Sequence, residues 1–180
     1  MIEVNVKIKG LTPLIMDALR VEDIINSATS VRKYTEEVMA KMAEKSLYRT
    51  PAGDIYLPSR NIKRCLIDGA KMGRIKLNAR QNLYPFIEAS VFISPMEILL
   101  GKKQADNFLQ IPMRRKDGNV IPKRLPIFTD WKLIFILMIY DDEIPDKVKD
   151  SIEIAGISVG LGNQRPEYGR FELTEWTIKK

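Results

Sequence analysis

Hydrophobic and polar positions alternate strictly at the start of the chain, Ile2, Val4, Val6 and Ile8 against Glu3, Asn5, Lys7 and Lys9. This two-residue period predicts a strand over residues 2–9 with one buried face. Gly10 and Pro13 close it, and a polar loop carrying Asp17, Glu22 and Asp23 follows to about Ser30. Val31, Tyr34, Val38, Met39 and Met42 then recur at helical spacing, which predicts an amphipathic helix over 31–45. Leu47–Arg49 and Asp54–Leu57 flank Pro51-Ala52-Gly53 and read as a small hairpin. After Pro58, Ser59 is positioned as the N-cap of a helix to about Gly73, with Ile62, Cys65, Leu66 and Ala70 on its apolar face.

The second half is richer in strands. Ile87–Ile93 and Met96–Leu100 are strand-like, with Pro95 as an interruption or an edge position. Gln110–Arg115 and Asn119–Arg124 surround Lys116-Asp117-Gly118, and Asp-Gly between two extended runs signals a hairpin. Its arms are rich in Arg and Pro, so a protruding basic hairpin is expected, with neither arm a central strand. Trp131–Tyr140 is nearly all apolar, as expected for the centre of a sheet. Pro145 opens a helix to about residue 156, on whose inner face lie Val148, Ile152 and Ala155. In the closing strand, 171–178, Phe171 and Leu173 are out of phase with Trp176 and Ile178, as a bulge would produce.

Without its insertions the order is βαββαβ, an α+β, ferredoxin-like (RRM-like) core in which two helices cover one face of a four-stranded antiparallel sheet. The insertions, 14–57 after the first strand and 101–127 between the central strands, decorate a single domain spanning 1–180. A chain of 180 residues is long enough for one such domain with a proper core.

Charge adds a direction. The total is +6, a surplus that suggests a polyanionic partner. It is concentrated in two segments: seven basic residues against one acid from Arg60 to Arg80, and seven against two from Lys102 to Arg124. From Asp141 to Glu153, six acids face two lysines, so the molecule is expected to be electrically two-faced. Cations solvate exposed faces in many proteins, but phosphate neutralisation requires them, and Tyr56, Tyr84, Phe86, Phe108 and Tyr168 flank the basic stretches where bases could stack.

Absences narrow the chemistry. With no histidine, Ser-His-Asp and Cys-His nucleophile pairs are excluded, as are zinc sites that need imidazole. The single cysteine, Cys65, has no partner within the chain for a disulfide. The longest apolar run, Leu133–Ile139, has seven residues, far below the roughly 20 of a membrane-spanning helix. A cytoplasmic protein without cofactor is the expectation. The acids at 141–146 suit a helix N-terminus without any metal.

The stretch from Ala155 to Phe171 is the most informative. Gly156, Gly160, Gly162 and Gly169 allow positive φ or close approach to a ligand, and Arg165 and Arg170 can meet phosphates. The alternative is that the glycines only cap the helix and turn the chain. A dinucleotide loop fits worse, because it would follow a strand and open a helix.

A glycine-rich loop between the second helix and last strand of a βαββαβ domain resembles the RAMP superfamily of CRISPR proteins, above all the backbone subunits along guide RNA. Lys9-Gly10-Leu11-Thr12-Pro13-Leu14 is similar to the end of that family's first strand, and Ile55-Tyr56-Leu57-Pro58-Ser59 to its Tyr-Ile-Pro-Gly-Ser lead-in to the first helix. The Asp117-Gly118 hairpin falls where those subunits insert a thumb. The chain departs from the family pattern at Leu57-Pro58-Ser59-Arg60, where Gly usually precedes Ser. A phage or mobile-element relative would look the same.

The resemblance implies a non-catalytic binder of single-stranded RNA or DNA, acting as a homo-oligomer along the strand or as a subunit of a larger complex, with no membrane involved. Candidate contacts are Arg60, Lys63, Arg64, Lys71, Arg74, Arg114, Arg115, Lys116, Gly160, Gly162, Arg165, Gly169 and Arg170. Family members that cut bound RNA use an aspartate in the insert after the first strand. Asp17 and Asp23 lie there, and nothing at motif level selects either. The rival reading is an assembly protein whose basic and acidic faces join copies without nucleic acid.

Overall fold

The computed structural model describes residues 1–18, 34–114, 118 and 120–179. Glu22, Asp23, Val31, Arg115, Lys116 and Asp117, all part of the expectations above, lie outside these residues. Strand β1 (Ile2–Gly10) buries Val4, Val6 and Ile8, as its alternation requires. It lies between β8 (Lys132–Ile139) and β9 (Phe171–Lys179), and β4 (Val91–Ser94) pairs with the far side of β8. The sheet order β4-β8-β1-β9, with every pair antiparallel, is the ferredoxin-like topology. The bulge in β9 is present: Lys7 pairs with Glu175 and Ile8 with Leu173, leaving Thr174 as the extra residue.

Helices α2 (Ser59–Met72) and α4 (Pro145–Ser158) pack side by side on one face of this sheet, burying Ile62, Cys65, Leu66 and Ala70 from the first and Val148, Ile152 and Ala155 from the second. The opposite face of the sheet has no helix over it among the described residues. Ser59 is the first residue of α2 rather than its cap. Pro58 holds the cap position, no side chain bonds there, and the Ser59 N–H donates to the Met96 carbonyl at 2.8 Å instead.

Other expectations are corrected. Residues 87–90 are helical, in α3 (Tyr84–Ser90), and only 91–94 form the strand. Leu83 and Ile87 are both buried one helical turn apart, and the Ile87 N–H donates to the Leu83 carbonyl at 3.1 Å, which outweighs the strand propensity of an isolated Ile. β5 (Glu97–Leu99) does not join the central sheet but pairs with β3 (Tyr56–Pro58). The small hairpin before α2 is reduced to an isolated bridge between Arg49 and Ile55.

The insertions fold against each other. β6 (Asn107–Arg114) and β7 (Val120–Phe128) form the expected hairpin, with Arg114 opposite Val120. At its base, beyond the expected arm, β7 also pairs with β2 (Leu14–Ile15) through Ile127 and Phe128, so that end of β7 is the middle of a three-stranded sheet, while residues 120–124 pair with β6. The physical reason is that basic character ends at Arg124, and Leu125 and Phe128 beyond it are fully buried. Helix α1 (Glu36–Lys45) is capped by Thr35, whose hydroxyl accepts from the Val38 N–H at 3.4 Å, and an Arg124–Glu36 ion pair ties α1 to β7. No helix among the described residues is long and apolar enough to cross a membrane.

Candidate nucleic-acid interface

The glycine loop is laced to the start of the first insertion. Pro13 and Ile15 carbonyls accept from the N–H groups of Gly169 and Asn163, both at 2.8 Å, and the Thr12 hydroxyl accepts from the Arg170 N–H at 2.9 Å. Thr12 is itself fixed, since its carbonyl accepts from the indole of buried Trp131 at 2.9 Å. Within the loop, the Leu161 N–H donates to the Gly169 carbonyl at 2.9 Å. Such lacing needs the backbone to pass very near itself.

Glycine makes that possible. Gly162 and Gly169 have φ of +76° and +74°, a region that side chains disfavour. A Cβ at Gly162 would lie 2.3 Å from the Ile15 carbonyl oxygen, and one at Gly169 only 1.8 Å from that of Leu161. Gly160, at φ +76°, is buried against Tyr168 and Gly169. All three glycines therefore make their close approaches to this chain's own backbone.

What the lacing exposes is Arg165. It borders a cleft of about 210 Å³ together with Asp17, Tyr48, Asn61, Arg64 and Asn163, over a floor that includes Met16, Leu57 and Leu161. It also borders a wider groove of about 540 Å³ with Lys71, Met72 and Val159. Cleft and groove thus meet at Arg165, with α2 supplying one wall of both. Arg64 has its Nε on the Asp68 carboxylate at 3.1 Å, a pair on the surface, and Lys71 lies 4.8 Å from the centre of the Tyr84 ring. Beneath this surface the Cys65 thiol contacts the Gly160 carbonyl at 3.3 Å, and burial pushes its pKa up to about 12, which leaves it a neutral packing group.

The expected contacts thus separate. Arg64, Lys71, Gly162 and Arg165 come together around the joined cleft and groove, while Arg60 and Arg74 are exposed towards the two ends of α2. Lys63 is turned elsewhere: its ammonium donates to the Glu88 carbonyl at 2.9 Å and to that of Val91, and lies 4.9 Å from the Phe92 ring centre. Burial lowers its pKa, with partial compensation from Glu88. Arg114 is exposed at the far end of the hairpin, and Arg170 is exposed at the start of β9.

Sequence reasoning missed Asn61, Asn163, Tyr48 and Lys123. Asp17 accepts from Lys123 at 2.6 Å and from Asn163 at 2.9 Å, both on the same oxygen, so it clips the first insertion to β7 and to the glycine loop. Asn163, inside the glycine-rich stretch, and Lys123, inside the second basic segment, carried signals that could have marked them. Among the described residues, no group of three or more Asp, Glu or Cys side chains is arranged to hold a metal ion.

The fold and this basic rim define an α+β, ferredoxin-like domain with a laced glycine loop. Compared with known proteins, the chain matches no family model and no curated protein. Among solved structures it is similar to a chain in the cryo-EM structure of the Type III-B Cmr-beta bound to cognate target RNA, with a TM-score of 0.56 and 17% identity. The match covers 99% of this chain and 61% of the other, so the protein spans under two thirds of its neighbour's length. At that identity the likeness is one of fold.

Proposed function

We propose that the protein is a non-catalytic binder of single-stranded nucleic acid, RNA in the first place, working as a RAMP-like subunit along a strand within a larger assembly. The observation that carries this reading is the meeting of cleft and groove at Arg165, with Arg64 and Lys71 on the adjoining helix wall. Three cations along one continuous depression suit a phosphate backbone, and the half-buried Tyr48 in the cleft offers a ring to a base. The similarity to a chain from a target-RNA complex favours RNA over DNA. The absence of histidine supports a binding role rather than cleavage, as does the engagement of Asp17 by Lys123 and Asn163.

Fluorescence anisotropy with labelled single-stranded RNA and DNA tests the proposal. Affinity is expected to fall by orders of magnitude between about 50 and 200 mM salt if six or more phosphates are contacted. No binding at low salt overturns the reading. The same RNA is expected to survive incubation with magnesium or manganese, and cleavage products that disappear in Asp17→Ala would contradict the non-catalytic role.

A further inference from the structure

On the sheet face away from α2 and α4, Lys9 of β1 stands directly opposite Lys132 of β8. Like charges in that position destabilise an antiparallel pair, and neither lysine has an acidic partner within ion-pair distance among the described residues. Both line a groove of about 610 Å³ with Lys7 and Lys102, against one carboxylate, Asp130. Lys7 is paired with Glu175 at 3.3 Å and Lys102 with Asp106, and Lys9 faces Glu172 across the β1–β9 pair, so the uncompensated charge is that of Lys132. The groove continues into an apolar cavity of about 360 Å³ that includes Leu99 and Ile134, 53% and 58% exposed. Apolar side chains of this size, contiguous and rimmed by charge, mark an interaction surface.

On the opposite side of the molecule, α4 presents the reverse pattern. Asp146, Asp150, Glu153 and Ile157 follow at spacings of four, three and four, so they form one outward stripe, and all four are exposed, Ile157 by 63%. Of the two lysines on this helix, Lys147 is turned away and donates to the Leu77 carbonyl at 2.7 Å, and Lys149 flanks the stripe, leaving three carboxylates against one cation. Three carboxylates in line with an exposed isoleucine match a lysine groove that runs into an apolar cavity.

We propose that the open sheet face of one copy receives the outer stripe of α4 from the next copy. This rests on the reading of the protein as a repeated subunit and names the surfaces that join neighbours. Because the two surfaces lie on opposite sides of the sheet, the contact is heterologous and repeats from copy to copy instead of closing into a two-fold dimer. A nucleic-acid strand would satisfy the lysines but leave Leu99 and Ile134 uncovered, since neither offers a ring for stacking.

The test uses the full chain freed of nucleic acid, with mass measured by analytical ultracentrifugation over a range of concentrations in about 50 mM salt. The wild type is expected to associate progressively. Lys132→Glu sets an opposite charge across from Lys9, so its melting temperature should hold or rise while association weakens at least tenfold. The double variant Asp150→Lys/Glu153→Lys should likewise associate at least tenfold more weakly. Mixing the two variants restores one intact groove and one intact stripe, so the mixture should associate at concentrations where each variant alone does not.

A monomeric wild type overturns the proposal, as does wild-type association in both variants or a mixture that stays monomeric. Loss of RNA binding in Lys132→Glu with association unchanged would assign the groove to nucleic acid instead. Because association is measured without RNA, failure here leaves the nucleic-acid reading to its own assay.

Discussion

The glycine loop and the outer side of α2 look alike in sequence, each combining conformational or electrostatic features that suit a phosphate backbone, yet they are built for different tasks. In the loop, Gly162 and Gly169 face inward, where a Cβ would strike the carbonyl oxygens of Ile15 and Leu161. On α2, Arg64 and Lys71 face outward, and Arg165 is the cation that the loop brings to the same depression, beside Gly162 and Asn163. A glycine records that backbone comes close to something. Whether that is a ligand or the chain itself depends on the segment packed against it, here residues 12–15, far away in sequence.

The sharpest way to break this comparison is Gly162→Val. A branched side chain at φ +76° and 2.3 Å from the Ile15 carbonyl should destabilise the fold by about 2–3 kcal/mol or more, seen as a lower urea midpoint. A variant as stable as wild type would show that the loop is open to a ligand and is not a clasp.

Two lysine and arginine truncations sharpen the comparison at smaller scale. Lys63→Ala leaves the Glu88 and Val91 carbonyls without their ammonium donor and should cost about 1–2 kcal/mol of stability, with RNA affinity nearly unchanged. Arg165→Ala should do the reverse, leaving the melting temperature alone and weakening RNA binding about fivefold near 100 mM salt, uniformly across sequences. If Lys63→Ala weakens binding as much as Arg165→Ala at equal stability, the division between inward and outward cations fails.

Much of the core was legible because its signals are local. The alternation in β1, the apolar face of α2 and the phase change marking the β9 bulge each lie within one element. What was not legible depends on partners distant along the chain. Ile87 belongs to a helix that packs on α2, more than ten residues earlier, and β7 is central at its base because Leu14 and Ile15 come to it from more than a hundred residues earlier. Lys63 and Arg64 are neighbours in a basic segment, and only the position of β4 and α3 shows that one closes the core while the other reaches the surface. The same holds for Asp17, whose role as a clip requires Lys123 and Asn163.

The most direct measurement of the central claim is the salt dependence of single-stranded RNA binding by the wild type and by Arg64→Ala/Lys71→Ala/Arg165→Ala. Each phosphate contact on a single strand contributes about 0.7 to the slope of log affinity against log salt. The account predicts that the triple variant, with an unaltered melting temperature, loses about 2 from that slope. An unchanged slope in a well-folded triple variant would contradict it and place the nucleic acid elsewhere on the molecule.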